Sequence, residues 1–432
     1  MEWGSQLVLI IGLMTGLLIG GMWLPFAILS AGLASIFLAD GIAGMNALGF
    51  VLWGSMNSFT LTAIPLFILM SEILLQCGVT GPLYAALARL ARPIPGGLLQ
   101  TNVAASALFA AICGSSVATA AAIGTVALPN LERRGYDMRM AYGSLAAGGT
   151  LGILIPPSIP MILYGSFTET SVAKLFMAGV VPGLILTTLF MSYIGIRSYM
   201  MKGAAIRAED RPEPLSKVVL QLLPFMGLMF IILGGIYFGW ATPTEAAALG
   251  CTVALVIGYL AGGLSVRMLV NALSVATRSS AAILAIVMAA MVFAYAFENA
   301  SLGKYLTQWL LSLKLDRDTF LFALLFLYVI LGCLMESIAM MVITVPLLFP
   351  TILAYGIDPV WFCVALVVLI ELGQLTPPFG INLFVIKQIS GAPLGDVVRG
   401  TVPYYGLIIG FVILLKFVPG IALWLPGAMY AH

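Results

Sequence analysis

The sequence predicts an all-helical, polytopic membrane protein built from two inverted-topology repeats, each holding a re-entrant helical hairpin and a broken membrane helix. Three observations predict it: the composition, a fixed internal offset, and polar interruptions that recur at that offset. Of 432 residues, 62% are hydrophobic and 8% charged, against roughly 25% charged in a soluble domain. Apolar runs from Leu7 to Leu38, Gly179 to Ile196, Val218 to Phe238 and Val402 to Leu425 reach the roughly 20 residues a helix needs to cross a bilayer. The apolar/polar alternation of a membrane barrel is absent from these runs, so the spans are helices.

Composition also narrows function. Lys and Arg number 19 against 17 Asp and Glu, with no basic patch interleaved with aromatics, so a nucleic-acid partner is not expected. The five cysteines (Cys77, Cys113, Cys251, Cys333, Cys363) lie in apolar surroundings without CxxC spacing and read as buried small hydrophobes. The single histidine is His432, which leaves no core histidine for a general base or a metal and argues against an enzyme, including one using Ser115 or Ser116 as nucleophile. No GxxxxGK[ST] motif is present, which argues against a primary ATP-driven pump. The opening MEWGSQLVLI carries no positive n-region and reads as a first membrane helix rather than a signal peptide.

A gapless stretch relates the two halves by the distance from Ser116 to Ser337, 221 residues. The same step takes Pro129 to Pro350, Gly135 to Gly356, Asp137 to Asp358, Gly152 to Gly373, Pro156 and Pro157 to Pro377 and Pro378, Gly179 to Gly400 and Pro182 to Pro403. Chance identities in so apolar a chain would fall on Leu, Ala and Val, not on Gly, Pro, Ser and Asp. Earlier, Pro25 pairs with Pro243 and Gly32 with Gly250. The expected organisation is a first repeat over 1–200, with hairpin 98–130 and broken helix 140–165. A polar cytoplasmic linker over 201–217 follows, then a second repeat over 218–432, with hairpin 319–351 and broken helix 360–388. The turn LERRGYDMR is basic, whereas its counterpart TILAYGIDP holds no basic residue. Positive-inside therefore places these turns on opposite faces and makes the repeat inverted. Arg89, Arg92, Arg267, Arg278, Lys387 and Arg399 follow the same scheme. Lys304, Lys314 and Arg317 depart from it, in an amphipathic stretch suited to lie along the interface.

Each half interrupts membrane-length sequence with small polar residues. AICGSSVATAAAIGT, 111–125, suits a hairpin tip lined by Ser115, Ser116 and Thr119, or a small-residue packing face. GCLMES, 332–337, is the second tip, where the Glu336 carboxylate either is paired, protonated or in contact with a cation or water, or caps a helix N-terminus; Glu371 invites the same readings. In GGTLGILIPPSIP and ELGQLTPPFGIN, a Gly followed by Pro-Pro removes amide donors and frees carbonyl oxygens. Carbonyls and hydroxyls at helix ends suit a hard cation, and helix N-termini suit an anionic solute.

The motifs GSSVATAAAIGTVALPNLERRGYD, GILIPPSIPMILYG, MESIAMMVITVPLLFP and ELGQLTPPFGINLFVI, in that order, make the chain resemble the large, DctM-like membrane subunit of tripartite ATP-independent periplasmic (TRAP) transporters over essentially its whole length. The resemblance implies a sodium-driven importer of an acidic solute in the bacterial or archaeal inner membrane, moving a transport domain as an elevator. The partners it implies are a small four-helix membrane subunit, expected as a separate chain, and a periplasmic substrate-binding protein; sodium is the coupling ion, and no organic cofactor is expected. Carried over by position, one sodium site falls on Gly332, Gly373, Thr376 and the backbone of Phe379. Its repeat counterpart falls on Ser115 or Ser116, Gly152, the Ile155 carbonyl and Ser158. Solute is expected between the tips, near Ser116, Thr119, Ser337, Thr376 and Asn382. A stand-alone sodium- or proton-coupled organic anion carrier is the alternative reading.

Overall fold

The computed structural model describes residues 3–200 and 214–429. Of the linker expected over 201–217, residues 201–213 lie outside the described residues, as does His432. The described residues are helices joined by short turns, with no strand among them. Eight of these helices are long and apolar enough to cross a bilayer. The bent pair Ala63–Gln76 and Thr80–Ala91, 78° apart, makes a ninth span if counted as one.

The Gly and Asp residues that mark the repeat act locally. The first hairpin pairs Leu98–Cys113 with Ser116–Arg133, the second Arg317–Leu334 with Ser337–Ala354. Gly135 and Gly356 follow their second arms in the left-handed conformation, φ 70° and 66°, which glycine adopts without a Cβ penalty. The Tyr136 and Ile357 amides then donate to the Leu131 and Ile352 carbonyls, both at 3.1 Å. Two residues on, Asp137 and Asp358 start the next helices. Asp137 accepts from the Arg139 amide at 2.9 Å, and Asp358 from the Val360 and Trp361 amides at 2.8 and 2.9 Å, satisfying N–H groups that have no partner within the helix.

Both of those helices break at Pro-Pro. Met138–Thr150 passes through a tight turn, Leu151–Ile153, and resumes as Ile159–Thr168. Pro359–Leu375 stops before Pro377-Pro378 and resumes as Ile381–Ser390. The observed helices reach a few residues past the expected bounds, to Arg133 and Ala354 in the hairpins and to Thr168 and Ser390 in the broken helices.

Packing between the halves is reciprocal, each element resting on the counterpart of a different element of its own half. Leu24–Gly44 packs on Val266–Asn299 as Ala63–Gln76 packs on Pro243–Leu260, and Ser116–Arg133 packs on Ile381–Ser390 as Ser337–Ala354 packs on Ile159–Thr168. Every residue from Val360 to Leu375 is buried, which puts the first arm of the second broken helix at the centre. The helices Met138–Thr150 and Leu394–Phe417 meet backbone to backbone, since a Cβ on Gly143 would lie 2.0 Å from the Gly400 carbonyl oxygen. Arg139 and Asp396, 2.9 Å apart, join the same two helices at one end.

Candidate functional site

At the first tip, Gly114 turns the chain at φ 63° and Ser115 caps Ser116–Arg133, its hydroxyl accepting from the Ala118 amide at 3.5 Å. The Thr119 hydroxyl donates to the Ser115 carbonyl at 2.8 Å. Gly152, from the first broken helix, rests on both: a Cβ there would lie 2.7 Å from the Ser115 carbonyl oxygen and 2.8 Å from Thr119 Oγ1. Ser158, fully buried, caps the resumed helix and donates to the Ile153 carbonyl at 2.5 Å. The Ile155 side chain packs over Gly183. Ser115, Thr119 and Gly152 are thus drawn together. Ser158 is committed to the break itself, and Thr119 belongs with this cluster by its hydrogen bond.

At the second tip, Glu336 is the cap. Its carboxylate accepts from the Ile338 and Ala339 amides at 2.9 and 3.2 Å, so it caps the helix N-terminus. Gly332 and Gly373 touch, a Cβ on Gly373 falling 2.5 Å from the Gly332 carbonyl oxygen. Both line a small cavity with Ser337, Gln374 and Phe379. Thr376 stands just past the helix end, and its hydroxyl donates to the Leu372 carbonyl at 2.7 Å; it is not among the residues lining that cavity. Tyr405, from Leu394–Phe417, donates to the Leu375 carbonyl at 2.7 Å, satisfying an oxygen at the helix end.

The second broken helix ties the two tips together. Before the break, Gln374 Nε2 donates to Ser337 Oγ at 2.6 Å. After it, Asn382 Nδ2 donates to Ser116 Oγ at 2.7 Å and to the Ala146 carbonyl at 3.1 Å. Ser116 and Ser337 are repeat equivalents at the first position of their helices, and each hydroxyl accepts from a carboxamide, while the Ser337 side chain also interacts with the Glu336 carboxylate. The Gln374 and Asn382 amide oxygens are buried without a hydrogen-bond partner among the described residues. Glu371 is 0% exposed and both of its carboxylate oxygens lack a partner among the described residues; it sits mid-helix, so the capping that explains Glu336 does not explain it. Four helices end and four begin around these contacts, bringing carbonyl-rich C-termini and amide-rich N-termini to one place. Among the described residues no cluster of three or more His, Cys, Asp or Glu could hold a metal, so hydroxyl, amide and backbone oxygens are the donors on hand.

Gln374 and Tyr405 are the residues that sequence reasoning passed over. Gln374 was visible as an amide at membrane depth, but its repeat equivalent is Ile153, so the repeat gave it no weight. Tyr405 carried no signal, because its target lies on another helix. Away from the tips, a cleft of about 640 Å³ opens between residues 58–60, 165–173 and 239–244.

Over residues 10–421 the chain matches the family described as the tripartite ATP-independent periplasmic transporter, DctM component. It is 36% identical over 393 residues to the C4-dicarboxylate TRAP transporter large permease protein DctM of Pseudomonas aeruginosa, spanning 91% of each chain. It is 32% identical over 416 residues to the sialic acid TRAP transporter large permease protein SiaM of Vibrio cholerae, spanning 95% of this chain and 96% of that one. In fold it is similar to the crystal structure of the Alcanivorax borkumensis YdaH transporter, with a TM-score of 0.62, 19% identity and 90% of each chain covered.

Proposed function

Because the chain belongs to the tripartite ATP-independent periplasmic transporter family as its DctM, large-permease component, we propose that it imports a small acidic solute across the bacterial inner membrane, coupled to sodium entry and by an elevator motion of the domain that holds both hairpins. The observation that carries this reading is the tie of both hairpin tips to opposite arms of one broken helix, Ser337 to Gln374 and Ser116 to Asn382. One sodium is assigned to Gly332, Gly373, Thr376 and the Phe379 backbone, another to Ser115, Gly152 and the first break. The solute is assigned to Ser116 and Ser337, whose hydroxyls and adjoining helix N-termini suit a carboxylate. C4-dicarboxylates and sialic acid, carried in the names of the relatives, both present carboxylates. Each elementary charge carried inward yields about 2.3 kcal/mol per 100 mV, which favours uptake when sodium charge exceeds solute charge.

The partners in this reading are a small membrane subunit and a periplasmic binding protein that delivers the solute. The cleft between residues 58–60, 165–173 and 239–244 supports delivery, because the positive-inside scheme assigns those segments to the periplasmic face. Uptake of labelled acidic solutes by proteoliposomes holding this chain and a small-subunit partner tests the proposal. Uptake that needs both an inward sodium gradient and a binding protein is the expected result. Sodium- or proton-driven uptake without a binding protein would favour a stand-alone carrier, and uptake indifferent to either gradient would refute ion coupling.

A further inference from the structure

One side chain joins the cation cavity to the solute-facing tip, and nothing in the family resemblance assigns it a role. Gln374 occupies the last turn of Pro359–Leu375 and is 7% exposed. Its amide nitrogen donates to Ser337 Oγ at 2.6 Å. Its amide oxygen is buried without a partner among the described residues, while the side chain lines the cavity formed with Gly332, Ser337, Gly373 and Phe379. A buried carbonyl oxygen that accepts nothing is destabilising, and its two lone pairs can be satisfied only by a donor hydrogen or a hard cation. The Gly332 carbonyl oxygen stands against Gly373 and both residues line the same cavity, so the donors they offer a cation are neutral oxygens.

Building on the sodium-coupled reading above, we infer that Gln374 is a cation ligand through Oε1 and the positioning residue for Ser337 through Nε2. Sodium bound at Oε1 fixes the plane of the carboxamide, and the fixed Nε2 holds the Ser337 hydroxyl in one orientation at the tip. Occupancy of the cavity and order at the second tip are then one event. Ile153 stands at the equivalent position of the first half, so this coupling belongs to the second hairpin alone.

The test is thermal unfolding of the purified full chain in sodium chloride against choline chloride at equal ionic strength, titrated to a sodium midpoint, because a ligand that binds the folded state raises its melting temperature. Gln374→Met keeps length and volume without the oxygen, and its midpoint is expected to rise by about tenfold or more. Gln374→Glu keeps an oxygen and is expected to stay within about threefold of wild type. In proteoliposomes with its partners, the wild-type KM for solute falls as sodium rises, and in Gln374→Met that dependence is lost. A folded Gln374→Met with the wild-type midpoint would show that water, not sodium, satisfies the oxygen, and would overturn the inference. So would a solute KM in that variant that still falls with sodium. Should Gln374→Met not fold, a tenfold weaker midpoint in Gln374→Glu overturns the inference by itself. A wild-type chain with no sodium-specific shift sinks the sodium reading together with this inference, whereas a responsive wild type with an indifferent Gln374→Met sinks the inference alone.

Discussion

Thr376 spends its hydroxyl proton on the Leu372 carbonyl, which leaves the lone pairs of Oγ1 pointing away from the helix and available to a cation. Thr376→Ala removes that oxygen, and in sodium-titrated uptake the half-maximal sodium concentration should rise about tenfold, or ~1.4 kcal/mol, with Thr376→Ser near wild type. An unchanged sodium dependence in Thr376→Ala would remove this residue from the site. The two membrane-depth glutamates show how differently one residue type can be used. Glu336 has two amide partners at a helix start, while Glu371 has none among the described residues although it is wholly buried.

At the scale of elements, the broken helices are held by what lies beside them. Proline leaves carbonyls without intrahelical donors, and the second break answers this with Tyr405, whose hydroxyl reaches the Leu375 carbonyl and also pairs with Thr401 Oγ1 at 2.8 Å. Tyr405→Phe strands that buried carbonyl at a cost of about 1–3 kcal/mol. It should lower the melting temperature of the purified chain, while Tyr405→Trp or a neighbouring apolar exchange offers no comparable control. A Tyr405→Phe protein as stable as wild type would mean that another donor satisfies the Leu375 oxygen. Hairpins are held in a similar way, since Tyr328 on one arm donates to Thr344 Oγ1 on the other at 2.8 Å, and the Tyr84, Asn102 and Ser144 chain, with links of 2.8 and 2.9 Å, fastens the first hairpin to the first broken helix.

For the whole molecule, inversion of the repeat has a direct consequence for topology. The equivalent hairpin ends, near Arg133 and near Ala354, are both exposed and should face opposite compartments. In a background with the five native cysteines replaced, a membrane-impermeant maleimide should label Ala354→Cys in intact spheroplasts and Arg133→Cys only after permeabilisation. Labelling of both sites from one side would make the repeat parallel rather than inverted.

By itself, the sequence determined the helical membrane class, the place of each break and the residues that end and restart the helices, because Gly135, Asp137, Gly356, Asp358 and the two Pro-Pro pairs act on the backbone within a turn or two of themselves. It also gathered the candidate site into four segments, since hydroxyls and carboxamides at membrane depth are conspicuous against an apolar background. The partners within the site came from the fold alone. Asn382 meets Ser116 across 266 positions, Gln374 meets Ser337 and Tyr405 meets Leu375, and none of these contacts follows from spacing or composition. They depend on how separate helices pack, and a hydrogen bond of under 3 Å is decided by that packing to within a fraction of a side chain's length.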